Sequence, residues 1–134
     1  MNLFLEAVLV GIYTCTIFMF FSPFIKNFYV LLLVCGFCKH LLGYVFNIWS
    51  WYCNNGEACL KILKQQNVYK ANTINLFIDS SYEAIIFLFF GTILQKYLGL
   101  QGKWLFFIMG LLLHILGDYT EIHTSFCKKN CEKI

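Results

Sequence analysis

The chain has 134 residues, of which 60% are hydrophobic, 19% aromatic and only 13% charged, with a formal net charge of +3. An ordinary soluble domain carries about a quarter charged residues, and a core this small cannot hide so much apolar surface from water. The composition therefore points to a membrane protein, and at about 20 residues per crossing the length allows at most about four or five spans and no large catalytic ectodomain.

In chain order, the first apolar run covers about 2–22 and stops at Pro23. It lacks a basic leader and a small-residue cleavage site, and Glu6 interrupts it early, so it reads as a retained first helix. After a short turn holding Lys26 and Asn27, the second run covers about 28–52, long enough to cross with some tilt. Trp49, Trp51 and Tyr52 at its end fit an interfacial aromatic belt. The loop 53–72 carries Asn54, Asn55, Gly56 and three Lys, and Leu60, Leu63 and Tyr69 suit a short amphipathic helix lying along the interface. The third run covers about 73–98, and Gly99 to Lys103 make a tight turn. Trp104 lies at the start of the fourth run, about 103–122, and a polar tail, 123–134, follows. Strand-period alternation is absent, which argues against a barrel. The expected fold is all-α: a polytopic four-helix transmembrane bundle forming one domain, with the lipid bilayer as its first partner.

Four spans place both termini and the 53–72 loop on one side. That side holds Lys61, Lys64, Lys70, Lys128, Lys129 and Lys133, against Lys26, Lys96 and Lys103 on the other. The positive-inside rule then favours cytoplasmic termini. All ten basic residues are Lys, so no guanidinium is available for bidentate reading of bases or phosphates, which argues against nucleic acid as a partner.

Ionisable groups inside a span normally face the bundle interior. On the second run Gly36, His40, Gly43 and Asn47 share one helical face, flanked by Lys39; on the third, Asn75, Asp79 and Glu83 do so. On the fourth run Gly110, His114, Asp118 and Glu121 align, and the first contributes Glu6. By depth, Lys39, His40, Glu83 and His114 fall near the midplane, whereas Glu6, Asn47, Asp79 and Asp118 lie nearer the termini. Lys39 or protonated His40 is expected to neutralise Glu83, with His114 as a third member. These stripes read as packing and hydrogen-bonding glue, with a proton or ion path as the rival. A zinc-type site from His40, Glu83, His114 and Asp79 is a further alternative, although no local motif sets its geometry. The residues call for no cofactor, and the absence of T-V-G-Y-G excludes a miniature potassium channel.

Seven cysteines complete the inventory. Cys35 and Cys38 have redox-type C-x-x-C spacing, but a relay needs a second pair within reach on the same side. Cys53, Cys59, Cys127 and Cys131 project at the opposite end. That common side allows two disulfides, within or between loop and tail, or zinc binding with His123 nearby. A cytoplasmic face would ordinarily keep these thiols reduced, which conflicts with disulfides unless the orientation is inverted or a local oxidant exists.

The stretch Lys39-His40-Leu41-Leu42-Gly43-Tyr44, with Tyr52-Cys53-Asn54-Asn55-Gly56-Glu57-Ala58-Cys59, resembles small multi-pass membrane proteins of large nucleocytoplasmic DNA viruses, and the Arg-free, Lys-rich composition agrees with AT-rich genomes of that kind. The resemblance implies a protein of the internal virion membrane beneath an icosahedral capsid. Such viruses commonly encode a cytoplasmic thiol oxidase, and the resemblance transfers no catalytic residue. The expected function is a non-enzymatic structural component that docks capsid or other membrane proteins through the 53–72 loop and the tail. A small proton, ion or metal transporter is the alternative, and a membrane thiol oxidoreductase the third reading.

Overall fold

The computed structural model describes residues 2–63, 67–72 and 74–134. Lys64 of the lysine count and Thr73, the start of the third apolar run, lie outside the described residues. The elements in order are α1 (Leu3–Phe21), α2 (Phe28–Val45), α3 (Ile48–Asn55), α4 (Glu57–Ile62), β1 (Tyr69–Ala71), α5 (Leu76–Leu98), α6 (Gly102–Tyr119), α7 (Ile122–Asn130) and β2 (Cys131–Lys133). The first two long helices, α1 and α2, have chemically defined starts. Asn2 accepts from the Phe4 and Leu5 amides at 2.6 and 3.2 Å, and Asn27 from Tyr29 and Val30 at 3.0 and 3.2 Å. In each case the side-chain oxygen satisfies donors that the first turn leaves unpaired. Helices α1, α2 and α5 are long and apolar enough to cross a membrane, and α6 joins them if it and α7, bent by 76°, count as one span.

The long helices pack as two pairs, α1 along α6 and α2 along α5, with lighter contacts between pairs. Small residues set these approaches. A Cβ on Gly36 would lie 2.8 Å from the Ala84 Cα, and one on Gly110 would lie 2.4 Å from the Thr14 hydroxyl oxygen. Towards the short turns the pairs meet through an apolar core that includes Leu32, Phe87, Leu105, Phe106 and Met109. Phe18 stacks on Phe106 there, with ring centroids 4.6 Å apart.

Two expected spans are broken at the other end. The second run is helical only to Val45 before Asn47 takes a left-handed conformation (φ 58°) and α3 turns back. The Trp49 indole N–H then donates to the His40 carbonyl at 2.9 Å, and Tyr52 is buried. The anticipated aromatic belt is thus reduced to Trp51, which is 45% exposed. The fourth run stops at Tyr119, and Glu121 (φ 61°) redirects the chain into α7. Asn tolerates the left-handed region better than most residues, but Glu gives no such signal.

Helices α3, α4 and α7 form a small head with an antiparallel ribbon, in which Tyr69 pairs with Lys133, Lys70 with Glu132 and Ala71 with Cys131. The proposed amphipathic helix of the loop is therefore confined to α4, and Tyr69 enters a strand. Three-residue strands carry too little periodicity to be read from sequence. Two disulfides join loop to tail, Cys53 to Cys131 and Cys59 to Cys127, with Cα separations of 5.7 and 5.2 Å. Asn54 supports the ribbon by accepting from the Tyr69 amide and donating to its carbonyl, both at 2.9 Å.

Because Gly36 faces backbone rather than a yielding side chain, Gly36→Leu is expected to cost about 1–3 kcal/mol through overpacking. Thermal unfolding in detergent micelles should show this as a lowered midpoint. Gly99→Asn should leave the midpoint nearly unchanged, since Gly99 is left-handed (φ 65°) with open space around it and Asn accepts that conformation.

Candidate functional site

The polar groups gather at the head end, where the helix pairs separate. Lys39 and His40 are consecutive on α2, and both reach Glu83 on α5. The Lys39 ammonium pairs with one carboxylate oxygen, and His40 Nδ1 lies 2.9 Å from the other. The Tyr13 hydroxyl donates to the Lys39 carbonyl at 2.7 Å, which brings α1 to the same point. The juxtaposition of Lys39, His40 and Glu83 is the one that helical spacing anticipated.

Glu6 forms a second centre. It is only 4% exposed, receives His114 Nε2 at 3.0 Å on one oxygen, and accepts the Glu57 backbone N–H on the other. One carboxylate thus links α1 to α6 and to the first turn of α4. This corrects the expectation that His114 joins Glu83. The reason is lateral: α6 packs along α1 and α5 along α2, so His114 meets Glu6 within its own pair while Glu83 is taken up by Lys39 and His40.

The other expected site residues separate. Asn47 is exposed at the α2–α3 break and not on an interior stripe. Asp79 is half-buried in the first turn of α5, where the helix dipole favours an acid. Asp118 is half-buried in the last turn of α6. Beneath the head lies a cavity of about 780 Å³ whose walls carry Glu6, Lys39, Asp79, Glu83 and His114, while Tyr52, His123 and Phe126 belong to its roof. That volume falls within the range of small-molecule sites.

The roof residues form an aromatic stack. His123 lies over His114 with centroids 4.4 Å apart, and Tyr52 is 5.8 Å from His123. Burial pushes His123 down to about 4, helped by positive charge on His114 and Lys39. It is therefore neutral at neutral pH. Burial, with Glu6, Asp118 and Glu57 nearby, raises the Tyr52 hydroxyl and keeps it protonated. Sequence spacing marked His123 only as a neighbour of the cysteines; its contact with His114 follows from the turn at Glu121, which spacing does not disclose.

Among the described residues, the one group of three candidate metal ligands with donor atoms mutually within 4.8 Å is Cys59, Cys127 and Cys131. The alternative set of His40, Glu83, His114 and Asp79 does not converge. Cys35 and Cys38 are free on α2, as is Cys15 on α1, whereas the remaining four cysteines staple the head. Searches of protein-family models, curated proteins and solved structures find no match to this chain.

The depressed His123 predicts a pH dependence. An unfolded His titrates near about 6.5, so as pH falls the unfolded chain takes up this proton first. The associated stability is fully present above that value, erodes as pH drops, and is lost below about 4, the direction that proton linkage requires. Unfolding midpoints should therefore decline from pH 6.5 to 4, and His123→Phe should flatten the decline. Equal slopes for both proteins would remove His123 as its source.

Proposed function

We propose that the chain is a non-enzymatic integral membrane protein in which α1, α2, α5 and α6 form a four-helix transmembrane bundle. Its stapled head acts as a structural anchor for other proteins on the side of the termini. The resemblance of the 39–59 stretch to virion membrane proteins of large DNA viruses implies a role beneath a capsid. The observation that carries the reading is the use of the buried carboxylates: Glu83 ties α5 to α2, and Glu6 ties α1 to α6 and to the head. Groups held in this way specify packing and fix the head on the bundle. Lys61, Lys128, Lys129 and Lys133 are exposed on that head and available for contact with acidic surfaces.

The cavity favours a second reading, a small proton or ion carrier. Asp79 lines it and has no ion-pair partner among the described residues, as a relay group would.

Glu83→Gln separates the two. It leaves the buried Lys39 ammonium without its counter-ion, a change that costs about 3–5 kcal/mol in buried pairs. The anchor reading expects loss of folded, assembled protein, whereas the carrier reading expects a normally assembled protein whose flux in liposomes is abolished. Cross-linking mass spectrometry of the native membrane provides the direct test. Stoichiometric links from Lys61 or the tail lysines to shell proteins are expected, and a substoichiometric, unattached protein would sink the anchor.

A further inference from the structure

The four head cysteines are closer together than two independent staples require. Cys59 Sγ, from one disulfide, lies 3.9 Å from Cys131 Sγ of the other. Cys59, Cys127 and Cys131 have all three sulfurs mutually within 4.8 Å, and Cys53 is bonded to Cys131. A tetrahedral tetrathiolate zinc site has Zn–S distances of about 2.3 Å, hence sulfur–sulfur edges of about 3.8 Å. The contact between the disulfides already has that length. Cys53 Sγ stands outside that group of three, so it is the ligand that swings inward by side-chain rotation once its bond to Cys131 opens. All four residues are buried, as a closed structural site requires.

We propose that Cys53, Cys59, Cys127 and Cys131 constitute a structural zinc site in the reduced protein, interchanging with the two disulfides in the oxidised protein. The chemistry balances. A dithiol reductant delivers two electrons and two protons to each disulfide, giving four thiols and two oxidised reductant molecules. Zn²⁺ then binds four thiolates and releases four protons, leaving a site of net charge −2. Lys61, Lys128, Lys129 and Lys133 lie within two residues of a ligand, against Glu57 and Glu132, so local charge favours the dianionic site. The site also removes a conflict between charge and redox chemistry. The lysine distribution favours a cytoplasmic head, where thiols are kept reduced, and zinc holds loop to tail there as the disulfides do elsewhere. The site is independent of what the head docks onto.

The test uses the full chain in detergent micelles, purified anaerobically with a phosphine reductant. Elemental analysis should find one zinc per chain, and exchange with Co²⁺ should give the intense visible bands of a tetrahedral tetrathiolate. Oxidation with diamide should release the zinc and yield Cys53–Cys131 and Cys59–Cys127 peptides. Cys59→Ser should lower zinc at least tenfold, while the double substitution Cys35→Ser, Cys38→Ser should leave it stoichiometric. Because Cys59→Ser alone could unfold the head, the wild-type chain is also reduced with chelator present. Its head should become protease-sensitive and regain protection on adding Zn²⁺ alone. A reduced, protease-resistant head without zinc would overturn the proposal. So would zinc that survives complete oxidation or that depends on Cys35 and Cys38.

Discussion

A carboxylate taken out of water must be neutralised where it sits, and this one requirement organises the wide end of the molecule. Glu6 and Glu83 occupy different helices and different depths, and each finds its compensation on a neighbouring element. An uncompensated buried ion costs several kcal/mol, more than any single apolar contact returns, so the helix register that pairs them is strongly selected over registers one turn away. Glu6 does more than neutralise. Its second oxygen accepts a backbone N–H at the start of α4, so the placement of the head depends on a side chain of the first helix.

The opposite end obeys a different rule. Helices this apolar on every side gain little from burial against one neighbour rather than another, and close packing decides the matter. Gly36 and Gly91 admit the facing helix in the α2–α5 pair, and Gly11 and Gly110 do so in the α1–α6 pair. Phe18 and Phe106 stack within the α1–α6 pair, and Leu32 and Phe87 meet Leu105, Phe106 and Met109 to close the narrow end between the pairs. Tight closure at one end and bulky polar groups at the other leave a widening space, which is the cavity.

Much of this was legible in the sequence, and the failures have identifiable causes. Long apolar runs located α1, α2 and α5 because their signal is summed over many residues. The Lys39–His40–Glu83 group was legible because residue counting puts the three at similar depth and opposite charge pairs them across α2 and α5. The partner of His114 was misplaced because spacing gives a residue's height along its own helix but not which helix lies beside it, and α6 packs along α1 rather than α5. Trp49 and Tyr52 were read as interfacial because hydropathy cannot distinguish an aromatic residue at a membrane surface from one in a small separate core. The common side of the four cysteines followed from topology, but their pairing did not, since it depends on how α4 and α7 cross.

The two helix breaks explain why the cavity has a roof. Had the second and fourth runs continued straight, Tyr52 and His123 would project beyond the bundle; the turns at Asn47 and Glu121 bring them together above Glu6 and His114. Folding helices back in this way creates a head whose buried residues are Tyr52, Cys53, Ala58, Cys59, Ala71, Cys127 and Cys131. Without the cysteines, the fully buried members of this core among the described residues are Tyr52 and two alanines, with Trp49, Leu63, Tyr69 and Phe126 partly buried against them. A core that small cannot offset the chain entropy of ordering three short helices and a ribbon, so the link between loop and tail sustains the head. The roof is part of that head, and Phe126 and Trp49 pack on its core. The four sulfur atoms therefore hold Tyr52, His123 and Phe126 over the carboxylates and histidines, although no cysteine of the head lines the cavity.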